Sequence, residues 1–220
     1  MHGYLSSSNC FVYQIPFFQR DFDVYAPDFK GFGNNKGMPK AYSLDDYVDD
    51  LVRYLDDRKI IKPSVVAHSF GARVALKATY RYPDIFGKIV LTGAAGMTPK
   101  KTVKKVAKKA TYKLLKNFLP KEKLKVFYSS DYLALDGVMR ESFVKIVSER
   151  LEYTLSSVKN PTLLIFGKDD KDTPLYMARR MHRGIINSKL LVFEKAGHFC
   201  FLDKPLKFNT EVKEFLLSNE

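Results

Sequence analysis

Val65-Val66-Ala67-His68-Ser69-Phe70-Gly71 sets a serine between a β-branched apolar run and a segment rich in small residues, Gly71, Ala72, Ala75 and Ala78. That order predicts a strand, a sharp turn and a helix, with the serine on the turn. Such a turn exposes the hydroxyl, and the helix N-terminus behind it favours developing negative charge. Small residues two positions to either side relieve the crowding; here they are Ala67 and Gly71, so alanine stands where the G-x-S-x-G pattern has its first glycine. A serine that merely caps a helix is the plainer alternative, and the rest of the chain has to decide.

Outward from this turn, four further short apolar runs are bounded by Pro, Gly or charged residues: Phe22 to Pro27, Lys88 to Thr92, Thr162 to Phe166 and Leu190 to Phe193. With Ser64 to His68 they make five expected buried strands. Between them lie helical patterns. Leu44, Tyr47, Val48, Leu51, Val52 and Leu55 share one face behind Ser43 as N-cap, and Leu206 to Leu217 closes the chain in the same way. Strands alternating with helices predict an α/β fold, a mostly parallel sheet with helices on both faces.

A nucleophilic serine needs a base to take its proton and a carboxylate to orient the base. Both residue types follow in order. After Thr162 to Phe166 comes the acidic loop Gly167-Lys168-Asp169-Asp170-Lys171-Asp172-Thr173-Pro174; after Leu190 to Phe193 comes Glu194-Lys195-Ala196-Gly197-His198-Phe199. Each lies past the carboxyl end of an expected strand, where open α/β sheets place functional groups.

With these elements in place the chain resembles the α/β-hydrolase superfamily, in its subgroup with a helical cap, over nearly all of its 220 residues. His2-Gly3-Tyr4 looks like the oxyanion loop and Asp28-Phe29-Lys30-Gly31-Phe32-Gly33 like the D-x-x-G-x-G turn. The resemblance implies Ser69 as nucleophile, His198 as base and Asp170 as acid, with Asp172 in reserve, and the backbone N–H groups of Tyr4 and Phe70 as oxyanion donors. It implies a hydrolase core at 1–95 and 158–220 and a helical cap at 96–157. The expected substrate is a small or medium hydrophobic acyl compound. Ester hydrolysis comes first and carbon–carbon bond hydrolysis second, without metal or organic cofactor; an inactive hydrolase-like protein is the third reading. The family also has three strands ahead of the position matched by Met1, the third lying between those matched by 22–27 and 64–68. A shortened sheet with unpaired backbone groups, each costing about 1 to 3 kcal/mol, is therefore expected, and with it a longer parent protein.

Composition is that of a globular protein: 45% apolar, 28% charged and 14% aromatic residues in one domain-sized chain. No apolar run reaches the roughly 20 residues of a membrane span and no signal-like start is present, so a cytoplasmic protein is expected. Two cysteines, Cys10 and Cys200, are too few for a disulfide framework or zinc site. The net charge of +13 is concentrated, because residues 98–125 hold 11 Lys+Arg against one acid and thus +10 of the total. That segment predicts a helix with Val103, Val106, Leu114 and Phe118 on one face and lysines opposite. A solvated lysine face is preferred to nucleic-acid binding, since stacking aromatics are sparse, and to contact with an anionic membrane surface. Of the remaining residues, His68 is expected to pack, His182 to lie on a solvated face, Cys200 to be core, and Arg140 to form a structural ion pair or to reach a substrate carboxylate.

Overall fold

The computed structural model describes residues 1–100 and 137–218, with Lys123, Ser130–Leu133 and Leu135. The expected lysine-faced helix over 103–118 lies outside the described residues. Elements in chain order are α1 (Gln14–Phe18), α2 (Leu44–Asp57), β1 (Val65–His68), α3 (Phe70–Arg81), β2 (Ile89–Thr92), α4 (Gly137–Ser148), β3 (Thr162–Gly167), α5 (Leu175–Gly184), β4 (Ser188–Phe193) and α6 (Pro205–Leu217).

The strands form one parallel sheet in the order β1-β2-β3-β4, with Ala67 opposite Leu91 and Leu91 opposite Leu164. Each parallel step needs a crossover, and helices on both faces supply it, which is why the strands are apolar at consecutive positions. Val65, Ala67, Ile89, Leu91, Leu164 and Phe166 face one core with α2, α3 and α5. Their neighbours Val66, Val90, Leu163 and Ile165 face a second core with Phe11, Phe18, Phe201, Phe208 and Val212. Ser43 starts α2 through a reciprocal capping box, its side chain accepting from the Asp46 N–H while the Asp46 carboxylate accepts from the Ser43 N–H.

One expected strand is not a strand. Phe22 to Pro27 belongs to no strand and pairs with none among the described residues. Apolar β-branched composition gives an extended conformation, but only a neighbour's ladder makes it part of a sheet. On that side of β1, the Met1 nitrogen donates to the Val66 carbonyl at 2.7 Å and the Met1 carbonyl accepts the His68 N–H at 3.0 Å. Farther along, an apolar cleft of about 340 Å³ separates β1 from 22–27, lined by Phe18, Val24, Leu51, Leu55, Val65 and Phe86.

The ends of the 96–157 segment come together where the Leu151 N–H donates to the Gly96 carbonyl at 3.0 Å. Helix α4 is pinned to α3 at its C-terminal end. The buried Arg73 donates to the carbonyls of Ile146 and Glu149, both at 3.0 Å, and Lys77 reaches the Glu149 carboxylate at 2.7 Å. A cation at a helix C-terminus satisfies carbonyls that have no partner inside the helix. No helix among the described residues is long and apolar enough to cross a membrane.

Candidate active site

Ser69 sits between β1 and α3 with φ 50° and ψ −103°, a backbone conformation that L residues rarely adopt. Strain of this kind, of order 1 to 3 kcal/mol, persists only where the surroundings over-determine it. Here the Ser69 N–H donates to the Thr92 carbonyl and the Ser69 carbonyl accepts from Ala95, which ties the turn to the end of β2. Gly71 is required by close approach: a Cβ there would lie 2.5 Å from the Met1 carbonyl oxygen and 2.8 Å from that of His2. Residues 1–3 thus press directly against the turn.

Opposite the serine stands His198, carried by the loop after β4. Its Nε2 is 3.0 Å from Ser69 Oγ and its Nδ1 is 2.9 Å from Asp170 Oδ2. Asp170, on the loop after β3, is buried and densely bonded. Its Oδ1 accepts the N–H groups of Asp172 and Thr173 at 2.9 and 2.8 Å, and its Oδ2 accepts the Thr173 hydroxyl at 2.7 Å. Burial by itself would raise this carboxyl, but the bonds from His198 and Thr173 outweigh it and hold the group below the ordinary carboxylate range. Asp172 is exposed and contributes its backbone N–H. Asp170, Asp172 and His198 also bring possible metal-ligand atoms within 4.8 Å of one another, yet the Asp170 oxygens and His198 Nδ1 are already bonded within the protein. Since Asp170 Oδ2 is an acceptor, Nδ1 of a neutral His198 carries the proton and Nε2 is free to accept from Ser69.

The rings of Tyr4 and Phe70 pack together, with centroids 5.3 Å apart. Phe70 is the first residue of α3, so its N–H has no acceptor inside the helix. Tyr4 stands one residue past Gly3, and a Cβ built on Gly3 would be 3.5 Å from Ser69 Cβ. The Tyr4 ring packs against Phe32, Phe70 and Phe143, and its hydroxyl donates to the Met139 carbonyl of α4 at 3.1 Å.

Three braces of this site were not anticipated. His2 is wholly buried: its Nε2 accepts the Phe29 N–H at 3.0 Å, which leaves Nδ1 to donate to the Gly3 carbonyl at 2.7 Å. Burial, the largest effect, lowers its pKa to about 4. Asp28 draws the adjacent turn closed, accepting the Ser8 and Asn34 N–H groups at 2.6 and 2.8 Å. Thr173 is the third; its place three residues after Asp170 is a local signal, since a carboxylate accepts readily from the backbone and hydroxyl two or three positions on.

His68 is buried, as a packing residue should be, but it also touches the site, with Nε2 3.2 Å from the His198 carbonyl oxygen. His182 is exposed and bonded to Ser188. Cys200 is core, its thiol pushed up to about 11 chiefly by burial. The ion pair expected for Arg140 is not found among the described residues: the guanidinium donates to the Leu135 carbonyl and stacks 5.0 Å from the Tyr132 ring. A carbonyl left without a helical partner draws a guanidinium as a carboxylate would.

The family model described as the alpha/beta hydrolase family matches residues 1–211. The 2-hydroxymuconate semialdehyde hydrolase of Pseudomonas sp. (strain CF600) is 26% identical over 88% of this chain and 76% of its own length. Among solved structures, an esterase (EaEST) from Exiguobacterium antarcticum superposes with a TM-score of 0.79 at 22% identity, covering 99% of this chain and 90% of that one. The meta-cleavage product hydrolase CumD of Pseudomonas fluorescens IP01, in a mutant form complexed with acetates, gives 0.74 at 24% identity, covering 96% and 85%.

Proposed function

Given that this chain belongs to the alpha/beta hydrolase family, we propose that it is a serine hydrolase of small or medium hydrophobic acyl substrates. Ser69 is the nucleophile, His198 the general base and acid, and Asp170 the group that orients the imidazole. One observation carries this: an unbroken hydrogen-bond relay runs from Ser69 Oγ through both ring nitrogens of His198 to a buried carboxylate, at 3.0 and 2.9 Å.

As Ser69 Oγ attacks the acyl carbon, its proton passes to His198 Nε2, and the imidazolium is stabilised by ionised Asp170. Negative charge collects on the former carbonyl oxygen, and in this reading the N–H groups of Tyr4 and Phe70 donate to it. Collapse of this intermediate expels the leaving group, which takes the proton from Nε2. Water then repeats the sequence: His198 removes its proton, hydroxide attacks the acyl carbon, and Ser69 departs with the proton restored. The chain's own groups suffice for every transfer. Residues 96–157 act as a cap, with Phe143 and Met139 of α4 beside the Tyr4 ring forming part of an apolar roof.

Carbon–carbon bond hydrolysis is the second reading, supported by relatives named as a 2-hydroxy-6-oxo-2,4-heptadienoate hydrolase and a 2-hydroxymuconate semialdehyde hydrolase. A panel of p-nitrophenyl esters from acetate to octanoate, run beside a 2-hydroxy-6-oxo-dienoate, separates the two. Turnover of either class that disappears in Ser69→Ala supports the proposal. Turnover that survives Ser69→Ala, or none with any acyl substrate, contradicts it.

A further inference from the structure

The mechanism above leaves one buried imidazole unused. His68 ends β1 on the sheet face opposite Ala67 and is only 1% exposed. It fills the space between two loops. On one side its ring lies 4.7 Å from the His198 ring and 4.9 Å from Phe199. On the other its Nδ1 abuts Gly3, where a Cβ would come within 2.9 Å. Nε2 lies 3.2 Å from the His198 carbonyl oxygen, while Nδ1 is buried and finds no partner among the described residues.

A carbonyl oxygen only accepts, so the ring proton sits on Nε2 and Nδ1 is bare. We propose that His68 is a positioning residue: its neutral imidazole donates from Nε2 to the main-chain carbonyl of His198 and holds that residue at the distance Ser69 requires. This rests on the hydrolase reading, because it assigns a purpose to a contact with the proposed base. The surroundings on balance enforce the neutral form. A second proton would place an N–H against the Gly3 backbone with no acceptor. It would also put a positive charge beside a ring that becomes cationic during the reaction. The charged and titratable groups facing His68 are His198, the Met1 ammonium and Asp170, of which only Asp170 favours the cation. Burial first, and His198 second, lower its pKa to about 3. His68 therefore neither competes for the Ser69 proton nor repels the imidazolium.

A space-filling role and a donating role separate in two variants. Phenylalanine keeps the bulk and loses the donor; glutamine keeps a side-chain N–H of similar reach and loses the ring. His68→Phe is expected to lower kcat about fivefold with KM within about twofold, while His68→Gln stays within about twofold of the unaltered protein; fivefold corresponds to about 1 kcal/mol, the typical worth of one hydrogen bond. Phenylalanine tolerated and glutamine impaired, or both impaired equally, overturns the assignment. A second measurement needs no activity and no substitution: nitrogen NMR of the histidine-labelled protein. It should show His68 protonated at Nε2, bare at Nδ1 and not titrating between about pH 8 and 5. A proton on Nδ1, or titration in that window, contradicts the proposal. If the protein turns over no acyl substrate at all, the hydrolase reading fails while the NMR result still decides the His68 bond.

Discussion

Acidification is a perturbation to which this fold should respond steeply, because two of its imidazoles are buried in forms that resist a second proton. The His2 Nε2 is occupied by the Phe29 N–H, and the His68 Nδ1 faces backbone. Their pKa values lie at about 4 and about 3, against roughly 6.5 for an unfolded histidine. Both are depressed on folding, so the unfolded chain binds protons first. The stabilisation is complete above about pH 6.5 and is lost as pH falls from there toward 4 and 3. At 1.36 kcal/mol per unit, the full loss is about 3 kcal/mol for His2 and about 5 kcal/mol for His68. Between about pH 6 and 4 both act together, with a slope near 2.7 kcal/mol per pH unit, and by pH 5 about 4 kcal/mol is gone. That is a large part of the 5 to 15 kcal/mol a domain possesses. Asp170 adds its own loss only lower, as pH drops through the ordinary carboxylate range. Urea unfolding followed by circular dichroism at about pH 7.5, 6, 5 and 4.5 measures the slope, and His68→Gln should halve it. An unfolding midpoint unchanged from pH 7 to 5 would mean that these rings titrate normally in the folded protein, and the reasoning would be refuted.

Four substitutions test other parts of the account. Asp170→Asn should cut kcat by about 10³ to 10⁴ by removing the acceptor for His198 Nδ1, while Asp172→Asn, which keeps its backbone N–H, should cost less than about threefold; equal losses in the two variants would count against the relay. Gly71→Ala forces a methyl group against the carbonyls of Met1 and His2, and a loss of at least about 2 kcal/mol is expected in urea unfolding; a neutral result would show that residues 1–3 do not press on the turn. Tyr4→Phe removes the bond to the Met139 carbonyl and should destabilise by about 1 kcal/mol, with faster hydrogen exchange in α4; unchanged exchange there would sever the link between that loop and the cap.

How much was legible in the sequence follows from which interactions are local. The turn at Ser69, the Ser43 cap and the strands near 65–68, 89–92 and 162–167 are written in short-range patterns of small, capping and β-branched residues, and the structure has them within a residue or so. Phe22 to Pro27 has an equally good strand composition and fails, because pairing is a property of the neighbour. Strand β4 begins at Ser188, two residues before its apolar run, since an edge strand tolerates a polar start. His2 looked like part of a loop motif. Its buried bonds to Phe29 and Gly3 depend on the Asp28 turn folding over it, 27 residues away along the chain. The contact of His68 with the His198 carbonyl spans 130 residues and leaves no local signature.

Fluorophosphonate labelling followed by peptide mapping interrogates the proposed nucleophile without knowledge of any natural substrate. A single phosphonylated serine at position 69, absent in Ser69→Ala and slowed at least about 10³-fold in His198→Ala, is the expected result. A folded protein whose Ser69 resists the probe, or whose labelling rate ignores His198, would contradict the claim that this hydroxyl is activated for attack.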